Sequence, residues 1–195
     1  GKNWHSPPRE VDFFDLKGDV EALLAAMGWE GIRFTAGGPD FLHPGRKAVV
    51  TAGDTPLGWI GQLHPAMQAA LDLPQAVQLF ELEEVALLQA VHKAIQPGIA
   101  SRFPAVERDF ALVVAAELPS ATLLEEIARM DPVLIRSTTL FDLYTGQHLP
   151  EGYKSLAVRV LLQADDRTLT DLEIQAVAER IVTGMGERFG ATLRV

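Results

Sequence analysis

A chain of 195 residues, 48% hydrophobic and 22% charged, is long enough for one or two packed cores, and its net charge is −9. That balance argues against binding nucleic acid by bulk positive charge, since residues 1–95 hold 7 basic against 12 acidic side chains and the remainder 10 against 14. With no cysteine, disulfides, thiolate catalysis and zinc ribbons are excluded. No apolar run approaches the roughly 20 residues of a bilayer span and GKNWHSPPRE lacks a signal-peptide hydrophobic region, so no membrane partner and a cytoplasmic protein are expected.

In chain order, a short strand is expected around Val11 to Phe14, then a helix from Gly18 to Met27 with Asp19 as N-cap and Gly28 as its end. Val20, Leu23, Leu24 and Met27 form its apolar stripe. IRFTA, KAVVT and LGWIGQLH read as strands, the last two joined by the hairpin loop AGDTP, and VQLFELE as another. A further helix is expected after HPAMQAAL, making residues 1–92 an antiparallel α+β layer. Residues 93–104, with two prolines, one glycine and no apolar periodicity, read as a linker.

Residues 105–195 then predict strand 108–115, helix 120–130, strand 133–144, strand 153–163, helix 170–188 and strand 191–195, a βαββαβ order. Leu123, Leu124 and Ile127 give the first helix a buried stripe, and Ile174, Val177, Ile181 and Met185 the second. Thr170 and Glu173 spell a capping box at the start of the second.

Two helices on one face leave the other face open. Phe110, Leu112, Val114, Ile135, Phe141, Leu143, Leu156, Val158, Val160, Leu193 and Val195 are assigned inward. Asp109, Ala111, Val113, Arg136, Thr138, Asp142, Tyr144, Ala157, Arg159, Thr192 and Arg194 are assigned outward. A face of arginines, an aromatic ring, hydroxyls and small residues suits stacking of unpaired bases and hydrogen bonds to their edges. The same pattern suits a solvated sheet whose Arg and Asp side chains pair across strands. Lys154 and Arg167, in turns at the two ends of one strand, are candidates for phosphate contact, though Arg167 has Asp165 and Asp166 beside it. Residues 96–195 hold nine arginines and one lysine, against three and four before them, and arginine is the cation of planar, bidentate contacts.

Other candidates fall away. His43 and His64, each followed by proline, lack metal-ligand spacing and suit turns. Glu81, Glu83 and Glu84 fit a surface strand, and His92 and His148 sit in expected loops. Gly37-Gly38-Pro39 and Gly58-Trp59-Ile60-Gly61 lack the lysine and helix context of a phosphate loop.

SRFPAVERDFALVV, FDLYTGQHLPEGYKSLAVRV, DDRTLTDLEI and FGATLRV resemble the ferredoxin-fold anticodon-binding domain at the C-terminus of the bacterial phenylalanyl-tRNA synthetase beta subunit. VDFFDLKGDVEALL, HPGRKAVV, GWIGQLHP and QLFELEE resemble the segment before it in the same subunit. The resemblance implies a noncatalytic class II synthetase-like antiparallel sheet portion followed by a βαββαβ ferredoxin-like domain. With it, the residues read above as outward or in turns, Arg136, Asp142, Tyr144, Lys154, Arg159, Arg167 and Arg194, are the expected tRNA contacts, and the resemblance implies phenylalanine tRNA and the alpha subunit of an alpha2beta2 heterotetramer as partners. ATP and magnesium would serve the parent ligase, with no cofactor, metal or catalytic residue in this chain. The family's beta subunit is far longer, so its editing and other upstream domains would be absent here. Two alternatives remain: a subunit-interaction scaffold with little RNA affinity, or a ferredoxin-like module binding a small ligand such as free phenylalanine.

Overall fold

The structure, a computed structural model, describes residues 9–88 and 101–194. The chain divides into two compact units, Gly1–Pro97 and Gly98–Val195. His92, Val195 and residues 93–100 of the expected linker lie outside the described residues.

In the first unit, helix α1 runs Phe13–Ala26 and takes the place of the strand expected at 11–14. Asp12, not Asp19, is its cap: the Asp12 carboxylate accepts the N–H groups of Phe14 and Asp15, and Asp15 reaches back to the Asp12 N–H. This capping box satisfies N–H groups that a helix start otherwise leaves without partners. It also brings Leu16 onto one buried stripe with Val20 and Leu24, one turn apart. Strands β1 (Ile32–Ala36), β2 (Leu42–Ala52), β3 (Thr55–Leu63) and β4 (Gln78–Leu82) form an antiparallel sheet in chain order. Gly53, at φ 56°, turns the hairpin between β2 and β3. Leu16, Val20 and Leu24 pack on Val50, Leu57 and Ile60 as this unit's core.

Helix α2 (Pro65–Ala70) lies within the HPAMQAAL segment, and a short α3 follows (Glu84–Leu87). His64 Nδ1 accepts the Ala66 N–H as the cap of α2, and His43 Nδ1 accepts the Gly45 N–H. His64-Pro65 thus starts a helix, whereas His43-Pro44, expected in a turn, lies within β2 at its irregular stretch between Leu42 and Lys47. Gly58 holds φ 147°, and a Cβ there would overlap the Glu81 carbonyl oxygen on β4. The glycine lets two strands come together where a side chain has no room.

The second unit is β5 (Val106–Ala115), α4 (Ser120–Met130), β6 (Ile135–Tyr144), β7 (Tyr153–Leu162), α5 (Asp171–Phe189) and β8 (Thr192–Leu193). Its sheet is ordered β6-β7-β5-β8 with antiparallel pairings throughout, the βαββαβ arrangement read from the sequence. Leu123 and Ile127 from α4 and Ile174, Val177, Ile181 and Met185 from α5 bury against Phe110, Leu112, Leu156, Val158 and Val160. Thr170 caps α5 with Glu173 as its box partner, and Gly190, at φ 62°, ends it in the left-handed conformation that glycine adopts without strain. Ser101 Oγ donates to the Ala164 carbonyl and Gln163 Nε2 to that of Phe103, fastening the segment before β5 to the turn after β7.

The face assignments fail along β6. Ten residues of β6 face eight of β7, with bulges between Ile135 and Ser137 and between Leu140 and Asp142. Between the bulges the alternation slips by one. Thr138, expected outward, pairs with buried Val160 and donates to the Leu124 carbonyl on α4. Phe141, expected inward, is the extra residue of the second bulge and is 52% exposed. Leu143 and Leu193 keep the inward phase, opposite buried Leu156 and Leu112, yet on the edge strands they are 55% and 46% exposed, while outward-phased Val113 is buried. The second bulge restores the phase, so Asp142 and Tyr144 keep the face assigned to them. Among the described residues no helix is long and apolar enough to cross a membrane.

Candidate nucleic-acid interface

The open face is built from three cross-strand rows. Arg159 on β7 stands between Thr139 and Asp109; Ala157 stands between Asp142 and Ala111; Ser155 stands between Tyr144 and Val113. Small side chains in the middle row leave a groove of about 730 Å³ that reaches from Phe141 across Ala157 and Ala111. Asp109 and Phe141 border it on one side, each in contact with Arg159, and Leu193 and Arg194 on the other.

Arg159 is held in place. Its Nε and Nη2 donate to the two oxygens of Asp109 at 2.9 and 2.8 Å, and Glu107 Oε2 lies 3.4 Å from Nε. The guanidinium also sits 5.2 Å from the centre of the Phe141 ring, a cation–π distance. Hydrogen bonding from Arg159 pulls the Asp109 pKa below the ordinary carboxylate value, and Asp109 in turn raises that of Arg159. A planar guanidinium fixed along its Nε–Nη2 edge and set against the Phe141 ring loses freedom to follow a phosphate.

Arg194 is placed by its backbone, whose N–H donates to the Ala111 carbonyl just past β8. Its guanidinium lies 4.8 Å from the Tyr144 ring centre. The phenol end of that ring lies against Gly146, where any Cβ would overlap it. Tyr144 thus has both a cation and bare backbone against its ring.

Of the seven residues expected to meet RNA, Arg194 lines this groove, and Asp142, Tyr144 and Arg159 each adjoin a residue that does: Ala157, Arg194 and Asp109. The other three lie apart from it. Arg136, at the first bulge, donates to the Gln163 carbonyl and pairs with Asp165 at 2.6 Å. Arg167 pairs with Asp166 and Glu173 at 2.9 and 2.7 Å, bracing the α5 cap. Backbone bonding from Thr170, with Arg167, draws the Glu173 pKa down to about 2. Lys154 has the phase of buried Val114, on the helix side, and its Nζ donates to the Ala116 carbonyl at 2.7 Å. Burial pushes its pKa down.

Glu107, Asp109 and Asp142 outnumber Arg159 and Arg194 on this face, so it is no positive patch. What it offers is flat cations, one fixed ring, an alanine floor and carboxylate acceptors. That set suits a stacked, hydrogen-bonded planar group better than a string of phosphates. Sequence reasoning assigned Phe141 to the core because counting by twos cannot see a bulge. Glu179 and Thr183 of α5, which also line the groove, carry no motif and went unconsidered.

Known proteins resolve the family. Residues 101–194 match the ferredoxin-fold anticodon binding domain, and residues 1–83 match the phenylalanyl tRNA synthetase beta chain CLM domain. The chain is 45% identical over 193 residues to the phenylalanine–tRNA ligase beta subunit of Methylococcus capsulatus, covering 99% of this chain and 24% of that protein. It is 41% identical over 194 residues to that of Moorella thermoacetica, with the same coverages, and 41% over 191 residues to that of Symbiobacterium thermophilum, covering 98% and 21%. It spans about a quarter of the length of these relatives. Two domain matches in order and relatives that match this chain along 99% of its own length place it in the phenylalanine–tRNA ligase beta-subunit family, as a C-terminal part of that subunit.

Proposed function

We propose that this chain is a noncatalytic, RNA-binding part of a phenylalanine–tRNA ligase and that the open face of its second unit engages the anticodon region of phenylalanine tRNA. The observation that carries this reading is the alanine-floored groove bordered by Asp109, Phe141 and Arg194, with Arg159 bound to Asp109 and Tyr144 beside Arg194 at its margins. A base entering it stacks against a fixed guanidinium or ring and meets Asp142 as an acceptor for N–H donors. Arg136, Lys154 and Arg167, tied to protein partners, are assigned no base contact.

The parent enzyme would be an ATP-dependent class II ligase of the cytoplasm, an alpha2beta2 assembly in which the alpha subunit holds ATP, magnesium and phenylalanine. The first unit then contributes a synthetase-like scaffold toward that subunit. No residue of this chain is given a chemical step.

The charge balance of the face favours a second reading, a subunit scaffold with little RNA affinity, since Arg–Asp pairing across strands is also what a solvated sheet does. Binding of a phenylalanine anticodon stem-loop RNA to the full 195-residue chain separates the two. The RNA reading expects measurable binding that Tyr144→Ala weakens roughly tenfold, from a stacking contribution of about 1–3 kcal/mol. No binding by the parent chain, or identical binding by the variant, leaves the scaffold reading standing.

A further inference from the structure

The groove does not stop at the sheet. Strand β8 covers only Leu112 and Val113 of β5, with one more bond from the Arg194 N–H to the Ala111 carbonyl. From Phe110 back to Val106, no described strand lies on that edge of β5. The groove runs out over this edge between Asp109 and Arg194 and continues along α5, lined there by Ala178, Glu179, Val182 and Thr183.

The four α5 residues form two pairs one turn apart, Ala178 with Val182 and Glu179 with Thr183, so each pair shares a stripe of the helix. Ala178 and Val182 are half-buried against the core and make an apolar ledge. Glu179 and Thr183 are exposed beside it. Gln175 Nε2 donates to Glu179 Oε1 at 2.9 Å, which steadies the carboxylate and leaves it further lone pairs to accept with. The volume of about 730 Å³ is far more than one planar base fills and falls within the range of roughly 300–1,000 Å³ typical of ligand sites.

The chemistry of this outer half disfavours a phosphate. Asp109 is paired with Arg159, but the Glu179 carboxylate lines the groove along α5, and its charge repels a phosphodiester there. An apolar ledge beside an acceptor and a hydroxyl instead suits a flat or sugar-like group that carries N–H or O–H donors: a base with an exocyclic amino group, or a ribose with its 2′-OH.

We propose that the outer half of the groove, formed by Ala178, Glu179, Val182 and Thr183 of α5 across the edge of β5 that no described strand covers, is a second nucleotide subsite. It takes the base or ribose of a residue next to the one stacked on the sheet, and Glu179 is its specificity-determining acceptor. The subsite rests on the RNA reading above. It makes the strand cross the sheet perpendicular to β5 and leave over α5, with its phosphates turned away from Glu179.

The test uses the full 195-residue chain and a synthetic phenylalanine anticodon stem-loop in which each loop nucleotide in turn loses its amino group or its 2′-OH. Glu179→Gln and Thr183→Val change exposed side chains and leave the core intact; circular dichroism and thermal unfolding confirm the fold. Glu179→Gln is expected to weaken binding of the unmodified loop roughly tenfold, as for a hydrogen bond to a charged acceptor. At one loop position, removing the donor should weaken the parent chain by a similar factor and leave the variant indifferent. If neither variant changes binding at any position while Tyr144→Ala does, the subsite is refuted and the sheet interface stands. If Glu179→Gln tightens every RNA alike and steepens no base preference, Glu179 is only a repulsive charge and the subsite is again refuted. Absence of binding by the parent chain removes the RNA reading itself.

Discussion

Two four-stranded antiparallel sheets in this chain use small residues for opposite ends. In the first unit, Gly58 and Gly61 sit where neighbours already fill the space: a Cβ at 58 would overlap the Glu81 carbonyl, and one at 61 would lie 2.8 Å from Leu42 Cδ1 and 3.0 Å from the Arg46 carbonyl. In the second, Ala111 and Ala157 floor an open groove. A small side chain in a strand therefore signals either close packing or reserved room. Only the neighbouring strand decides which.

The largest effect should come from filling the first kind of site. Gly58→Ala sets a Cβ against β4 at a φ that alanine avoids, and is expected to cost about 3 kcal/mol or more, read as an early urea transition of the first unit. Filling the second kind should leave folding alone. Ala157→Leu is expected to change stability by less than about 1 kcal/mol and to weaken anticodon stem-loop binding tenfold or more, measured by titration. A variant that loses stability without losing RNA would show that the groove is packing space after all. A smaller effect concerns the wall: a double-mutant cycle on Arg159→Ala and Asp109→Ala should show favourable coupling that shrinks as salt is raised, as exposed ion pairs do.

The least effect belongs to the second unit's α5 cap, whose acid response the groove does not share. The Glu173 carboxyl is held at about 2 against an ordinary 4.5, so its contribution to folding is complete above about pH 5 and disappears as pH falls through 2. Glu173→Gln should flatten that acid limb in urea titrations across the interval, with RNA affinity at neutral pH unchanged. A loss of RNA affinity instead would tie Arg167, freed by the change, to the interface.

The sequence carried much of the second unit. Apolar stripes at helical spacing, the Thr170–Glu173 box and the turn glycines located α4, α5 and the strands to within a few residues. It misplaced the start of α1 because the alternation at 11–14 imitated a strand while the capping box at Asp12 and Asp15 went unread. The site was half legible. Tyr144, Asp142, Arg159 and Arg194 came from strand alternation and family resemblance, but nothing in a linear reading pairs Asp109 with Arg159 or brings α5 to a sheet edge. Those facts depend on strand order and on β8 being two residues long.

The two bulges of β6 give that strand slack. Ten residues do the work of eight, so losing either extra residue, Arg136 or Phe141, would straighten the ladder without turning Asp142 or Tyr144 from their face. A residue lost from the stretch between could be replaced by recruiting Phe141 into the regular alternation. Strand β6 can therefore absorb small changes in length within itself, and the presentation of its distal end is insulated from them.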